Sequence, residues 1–363
     1  MERPHAPEFG EVGRITEEEL RLATRNHGLP LEALRYDVTP TGLHYLLTHY
    51  DIPEIDPAAW RLEVGGRTAE PRRFTLGDLR GRPSVTVAVT MECAGNGRAL
   101  LEPRPLSQPW LHEAVGTAEW TGVSLAAVLD EVPPEEDAIE VVFSGLDRGV
   151  EGGVEQCYER ALALSEASQP DVLLAYEMNG QPLLPQHGAP LRLVVPGWYG
   201  MASVKWLDRI TLVSEPFTGY QQERAYRFRT AVDDVGSPMS RIEPRALMIP
   251  PGLPDFYTRR RVLHVGPTTL TGRAWSGWAP VAKVEISVDG GVSWDAARVA
   301  PPRLGPNAWQ SWAYDWSPDQ PGEYLVCCRA RDASGHAQAD HPPWNAGGYA
   351  NPAPHAVPIT VTT

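Results

Sequence analysis

At 363 residues with a formal net charge of −14, the chain is long enough for two domains and carries no basic stripe able to neutralise a phosphate backbone. Nucleic acid is excluded as a partner on this balance, although a local basic pocket for a small anion is not. The 36 prolines disfavour long helices and favour short strands joined by irregular loops. No apolar run approaches membrane-spanning length, and Met1-Glu2-Arg3-Pro4-His5 opens neither an apolar leader nor a twin-arginine signal, so a reducing cytoplasm is expected.

Thr16-Glu17-Glu18-Glu19 predicts a capping box opening a short helix that ends near Asn26-His27-Gly28. From Thr39-Pro40 the chain is expected to run extended through Tyr50. Trp60–Val64 alternates as a strand, with Gly65-Gly66 as its turn, and Phe74–Leu79 reads as a short capped helix. Val85, Val87 and Val89 then alternate with small or polar residues, the pattern of a half-buried strand.

That strand delivers Met91-Glu92-Cys93-Ala94-Gly95-Asn96-Gly97-Arg98. The Gly and Asn residues tolerate a sharp turn, which places Cys93 where a strand stops and the backbone folds back. Successive N–H groups in such a turn can hold an anion or lower a thiol pKa. Taken alone, Cys93 reads equally well as a small buried hydrophobe.

Trp120–Gly122 is expected to turn into a helix that Ser124 caps. Ile139–Phe143, Leu173–Met178, Leu191–Val195 and Val204–Leu212 read as strands. This is mixed α+β in character, without regular βαβ repetition. Asp233–Pro238 and Ile249–Gly252 are linker-like, and beyond them short strands at close spacing suggest a β-sandwich of about a hundred residues. Adjacent Cys327 and Cys328 sit in a strand-like run that sends one inward and the other outward, and the four cysteines suggest neither a disulfide framework nor zinc spacing.

Three glycine-bearing loops carry further polar residues. Asn179–Gly188 brings His187 with Arg192 after it, Pro196–Lys205 brings Ser203 and Lys205, and Gly219–Arg227 brings Tyr226. Arg192 and Lys205 beside freed backbone N–H groups suit a phosphate.

These stretches resemble the sulfite oxidase family of molybdopterin-dependent oxidoreductases, from about Thr39 to the C-terminus. The matching segments are Met91–Asn96, Ala118–Gly122, Leu174–Gly180, His187–Arg192 and Val204–Leu207, followed by Ala274–Gly277 and Ser287–Trp294. The resemblance implies an α+β mixed molybdopterin-binding domain over residues 39–232, after an N-terminal extension over 1–38. An all-β, immunoglobulin-like dimerisation domain over 233–363 follows. It implies a molybdenum–molybdopterin cofactor with Cys93 as the metal's protein ligand, a choice that suits a soft thiolate. His49, Asp147, His187, Arg192, Ser203 and Lys205 fall on cofactor-binding positions, and Tyr226 on the family's active-site tyrosine.

The implied reaction is oxygen-atom transfer, foremost oxidation of sulfite to sulfate. Without a haem-attachment motif or nucleotide fingerprint in the sequence, a separate electron-transfer partner is expected, and the last domain implies a homodimer. Two family arginines of the substrate pocket fall on Leu47 and Gly347, and Gly97 replaces a third. An oxyanion site without guanidinium partners costs several kcal/mol. A same-fold enzyme acting on a sulfoxide or another oxyanion is therefore the alternative, with a cofactor-free scaffold or a cysteine hydrolase behind it. Arg25-Asn26-His27 repeats the family tripeptide early in the chain, which proposes Arg25 as the replacement cation.

Overall fold

The computed structural model describes residues 15–231 and 233–363, together with the backbone of residues 9 and 10. Thr16 caps the helix Glu17–Arg25, its hydroxyl accepting from the Glu19 N–H while the Glu19 carboxylate accepts from the Thr16 N–H. Thr75 caps Leu76–Arg80 in the same way through Asp78. Both boxes satisfy backbone donors that an isolated helix start leaves open.

Two sheets build the first half. One runs Gln181–Pro182, Leu173–Met178, Val115–Ser124 and Val85–Glu92, all antiparallel, with Arg192–Val194 also paired to Leu173–Met178. The other runs Arg72–Phe74, Leu62–Gly66, Leu207–Val213, Glu140–Glu151 and Val154–Ala163, with its one parallel pair between Leu62–Gly66 and Leu207–Val213. Leu62, Val64, Phe143, Ile210 and Leu212 lie in the core around this second sheet, joined by Leu29 and Leu34 from the N-terminal segment.

Several sequence expectations are corrected. Gly65 and Gly66 continue the strand rather than turning, because Gly66 at φ +89° brings its backbone against Leu212 where a side chain would collide. Trp120–Gly122 is strand, and Ser124 begins the helix Leu125–Leu129 without a side-chain cap. Residues 41–43 form a single helical turn and residues 47–50 make no ladder, since this segment offers its backbone to the cleft described below. Of the linker-like stretches, Asp233–Pro238 ends in a short strand, Ser237–Pro238, paired with Arg227–Phe228. Cys327 and Cys328 are both buried: Cys328 faces the core, and Cys327 is covered locally on a face that is otherwise open at Leu325 and Arg331.

The second half is a sandwich. A sheet of Arg245–Met248, Thr268–Trp275, Gln310–Trp316 and Arg298–Val299 faces one whose centre is Arg261–His264, His355–Thr362, Gly322–Asp332 and Val281–Ser287. Leu270, Val284, Ile286, Trp312, Val326 and Ile359 fill the space between.

The two halves meet at Glu92, one residue before Cys93. Its carboxylate is fully buried and accepts from Arg245 Nε at 2.8 Å, Trp275 Nε1 at 2.8 Å and Asn96 Nδ2 at 3.0 Å. Arg245→Ala strands this carboxylate, and such a loss typically costs about 3–5 kcal/mol. Denaturant unfolding is expected to register it, with the double variant Glu92→Met, Arg245→Met recovering most of the loss. Equal loss in both variants would assign the stability to packing alone.

Candidate active site

A cleft enclosing about 700 Å³ opens at the ends of both sheets of the first half. Cys93, His49, Asp147, His187, Arg192, Ser203, Lys205 and Tyr226 all line it. These eight residues span more than 170 positions of sequence, yet all face one space.

Cys93 ends the strand Val85–Glu92, its N–H bonded to Ala114 O at 2.9 Å. The turn after it closes through Asn96 N–H to Cys93 O at 3.0 Å, and Gly97 takes φ +90°. A Cβ at Gly95 would sit 2.7 Å from the Arg98 guanidinium, so a side chain there would displace that group. The C-terminal segment clamps this turn: Ala350 N–H donates to Ala94 O at 2.8 Å, and Asn351 Nδ2 to Gly97 O at 2.7 Å. The thiol is only 7 % exposed, and burial pushes its pKa up. Arg98 and the Gly95 N–H pull the other way without prevailing. The turn therefore does not create a free thiolate by itself, as the loop sequence suggested; a coordinating cation would.

The other end of the cleft is cationic. Arg192 lies against the Trp120 ring and donates to His187 O at 3.0 Å and Ser203 O at 3.2 Å, with no carboxylate partner. Lys205 donates to Leu47 O at 2.8 Å and Gln186 O at 3.0 Å. Trp206 beside it holds φ +50°, a conformation costly for an aromatic residue, and its indole is fixed to Pro185 O at 2.7 Å. Ser203 Oγ accepts from Val195 N–H at 3.1 Å. Burial, reinforced by Arg192, lowers Lys205 to about 7, and burial lowers His187 to about 3. Asp147 is raised to about 6 by burial, against the opposing pull of Lys205 and His49. Cationic groups crowded beside one weakly acidic carboxyl suit an anionic ligand such as a phosphate.

At the mouth, His49 Nε2 is 2.9 Å from Glu151, which also accepts from Tyr50 at 3.0 Å and Gln221 at 2.8 Å. Tyr226 hydrogen-bonds with Tyr158, whose hydroxyl donates to Met201 O at 2.8 Å. Burial holds the Tyr226 phenol well above its ordinary pKa, so it remains a donor at working pH.

Sequence reasoning missed Tyr158, Arg160 and the contacts of Tyr349. The alternation Tyr158-Glu159-Arg160 puts two side chains of one strand on the same face, a signal that was available. Arg25, expected as the replacement cation, is exposed and donates to Tyr50 O; it does not line the cleft, although its charge reaches Lys205. Leu47 lines the wall, while Gly347 O accepts from Arg98 Nε at 2.9 Å. Among the described residues no three His, Cys, Asp or Glu side chains converge as a metal site, so a metal beside Cys93 would draw its remaining ligands from outside the protein.

Lys205 gives this site a pH signature. Its pKa is about 7 in the folded chain against 10.5 for an ordinary lysine, so the unfolded state binds more protons between these values. Protein free of bound anion is expected to gain thermal stability as pH rises through that window. Lys205→Met is expected to flatten the rise; an unchanged slope would place the titration elsewhere.

Residues 49–221 match the oxidoreductase molybdopterin binding domain, and residues 258–362 the Mo-co oxidoreductase dimerisation domain. Mitochondrial sulfite oxidase of Mus musculus is 33% identical over 343 residues, covering 89% of this chain and 62% of that one. Sulfite oxidase of Gallus gallus is 34% identical over 336 residues, covering 88% of this chain and 72% of that one. The sulfane dehydrogenase SoxCD of Paracoccus pantotrophus shares the fold at a TM-score of 0.79 and 23% identity, over 99% of this chain and 97% of that one. The chain spans about 62% of the length of the mammalian relatives it matches. By these matches and its α+β and sandwich architecture, the chain belongs to the sulfite oxidase family and is an enzyme of the molybdopterin–molybdenum class.

Proposed function

We propose that this protein oxidises sulfite to sulfate and passes the electrons to a separate acceptor. The observation that carries the reading is the polarity of the cleft. A buried thiol with a protonated tyrosine stands at one side, and a phosphate-ready set of Arg192, Lys205 and Ser203 at the other. Sulfite gains one oxygen, drawn overall from water, and releases two electrons and two protons. When bound, the cofactor supplies the oxygen-atom transfer and the redox change.

The protein's part is to hold and to orient. Cys93 is the metal's protein ligand in this reading, fixed by the clamped turn. Arg192, Lys205 and Ser203 would hold the cofactor's phosphate, and His187, His49 and Asp147 would contribute to binding it. Tyr226 donates its one phenolic proton to Tyr158, and would turn it to an oxyanion oxygen when one binds. The family's dimerisation domain supports a homodimer.

A second reading rests on Leu47, an apolar residue on the cleft wall where the family places an arginine. It makes a less charged substrate, such as a sulfoxide, the alternative.

One preparation tests these readings. Protein expressed in a host that makes molybdopterin is expected to carry molybdenum and to reduce ferricyanide with sulfite. Molybdenum with sulfoxide turnover alone selects the second reading; absence of molybdenum selects a scaffold. Cys93→Ser is expected to keep the fold while turnover falls by more than the roughly 10- to 100-fold typical of residues that only surround a metal ligand. Retained turnover would remove Cys93 from the metal site.

A further inference from the structure

The buried arginines divide into two groups. Arg104, Arg227, Arg245, Arg261 and Arg273 each pair with a carboxylate. Arg98, Arg160 and Arg192 are equally buried, and among the described residues none of the three has an ion-pair partner. One of them is on the cleft wall and the other two lie one layer behind it. Arg192 lines the cleft, Arg98 follows the Cys93 turn, and Arg160 lies behind Tyr226.

Arg160 is the least satisfied. Its residue is 2 % exposed, Nη1 donates to Gln221 O, and Nε has no hydrogen-bond partner. Arg98, by contrast, donates to Gly347 O and Gln108 O. The Arg160 guanidinium carbon is 5.7 Å from the centre of the Tyr226 ring. Tyr226 is 5.3 Å from Tyr349, and Arg98 lies 5.1 Å from the Tyr349 ring, giving a run Arg160, Tyr226, Tyr349, Arg98. An unpaired buried cation is costly for folding alone and is retained where a ligand completes it.

We propose that Arg160 is the cation that balances the oxyanion substrate, in place of the arginines absent at Leu47 and Gly347. It acts as a positioning residue, through the ring and phenol of Tyr226, and adds positive potential in a water-poor site. This rests on the oxyanion reading of the site and specifies which residue of this chain carries the charge.

The test uses the molybdenum-loaded protein and the variants Arg160→Gln and Arg160→Lys. Equilibrium sulfate binding by titration calorimetry is measured beside sulfite KM and kcat. Arg160→Gln is expected to weaken sulfate binding and raise sulfite KM by roughly threefold to thirtyfold, the scale of a desolvated cation acting across an aromatic ring. Thermal stability is expected to hold or rise, because the unpaired charge is gone. Arg160→Lys is expected to restore most of the binding. Unchanged sulfate affinity in Arg160→Gln overturns the proposal. So does a loss of affinity accompanied by lowered stability that Arg160→Lys shares, which marks a structural residue. If wild-type protein binds sulfate through Arg160 without oxidising sulfite, the sulfite reading falls and Arg160 stands. If wild-type protein oxidises sulfite and Arg160→Gln does so with the same KM and sulfate affinity, the sulfite reading stands and Arg160 falls.

Discussion

The buried carboxylate of Glu92 is the constraint on which the rest depends. Removing a carboxylate from water is expensive, and burial alone would raise its pKa strongly. Arg245, Trp275 and Asn96 all converge on it, and two of these come from the sandwich. Arg245 also donates to Asn96 O and Asn351 O, so one guanidinium ties the strand end, the thiol turn and the C-terminal segment together. A backbone so held presents Cys93 at a fixed position. In this fold the second half is therefore part of the site's rigidity, not only a companion module.

The same logic, inverted, describes the cleft. Glu92 is buried with its charge matched, whereas Arg98, Arg160 and Arg192 are buried with theirs unmatched. Burial lowers Arg192 to about 10 and Lys205 to about 7, the direction expected of cations that lack an anion. A fold that satisfies its structural ion pairs so thoroughly has carboxylates enough to satisfy these as well. Among the described residues the buried arginines without an ion pair are one on the cleft wall and two a layer behind it, a placement that marks positions shaped for a ligand rather than for stability.

Much of this was legible in the sequence because it is local. The capping boxes at Thr16 and Thr75, the strand before Cys93 and the turn after it follow from residues within a few positions of one another. The loop residues His187, Arg192, Ser203, Lys205 and Tyr226 were found because their neighbours carry family motifs. What escaped is long-range. Trp275 meets Glu92 across 183 positions, and nothing near either residue announces it. Trp120–Gly122 looked like a turn because Gly122 breaks the apolar pattern, yet that glycine is where Leu174 and Ala175 pack against the strand. The thiol pKa was misread for the same reason: the turn's donors are visible in sequence, but the burial that outweighs them is not.

The arginine exchange shows how a charge requirement can outlive the position that met it. Leu47 gives the wall an apolar face while its carbonyl serves Lys205, so the segment keeps its backbone role and loses its side-chain charge. At Gly347 the backbone oxygen binds Arg98, which rests on Tyr349 beside the tyrosine of the cleft. Positive charge has thus left two loop positions and is found on Arg160, within the paired strand Val154–Ala163. A strand fixes a side chain more tightly than a loop, and a cation behind an aromatic ring acts through field and alignment more than through direct contact. Such a site would discriminate by the charge of the substrate as a whole, leaving its shape to the apolar wall around Leu47.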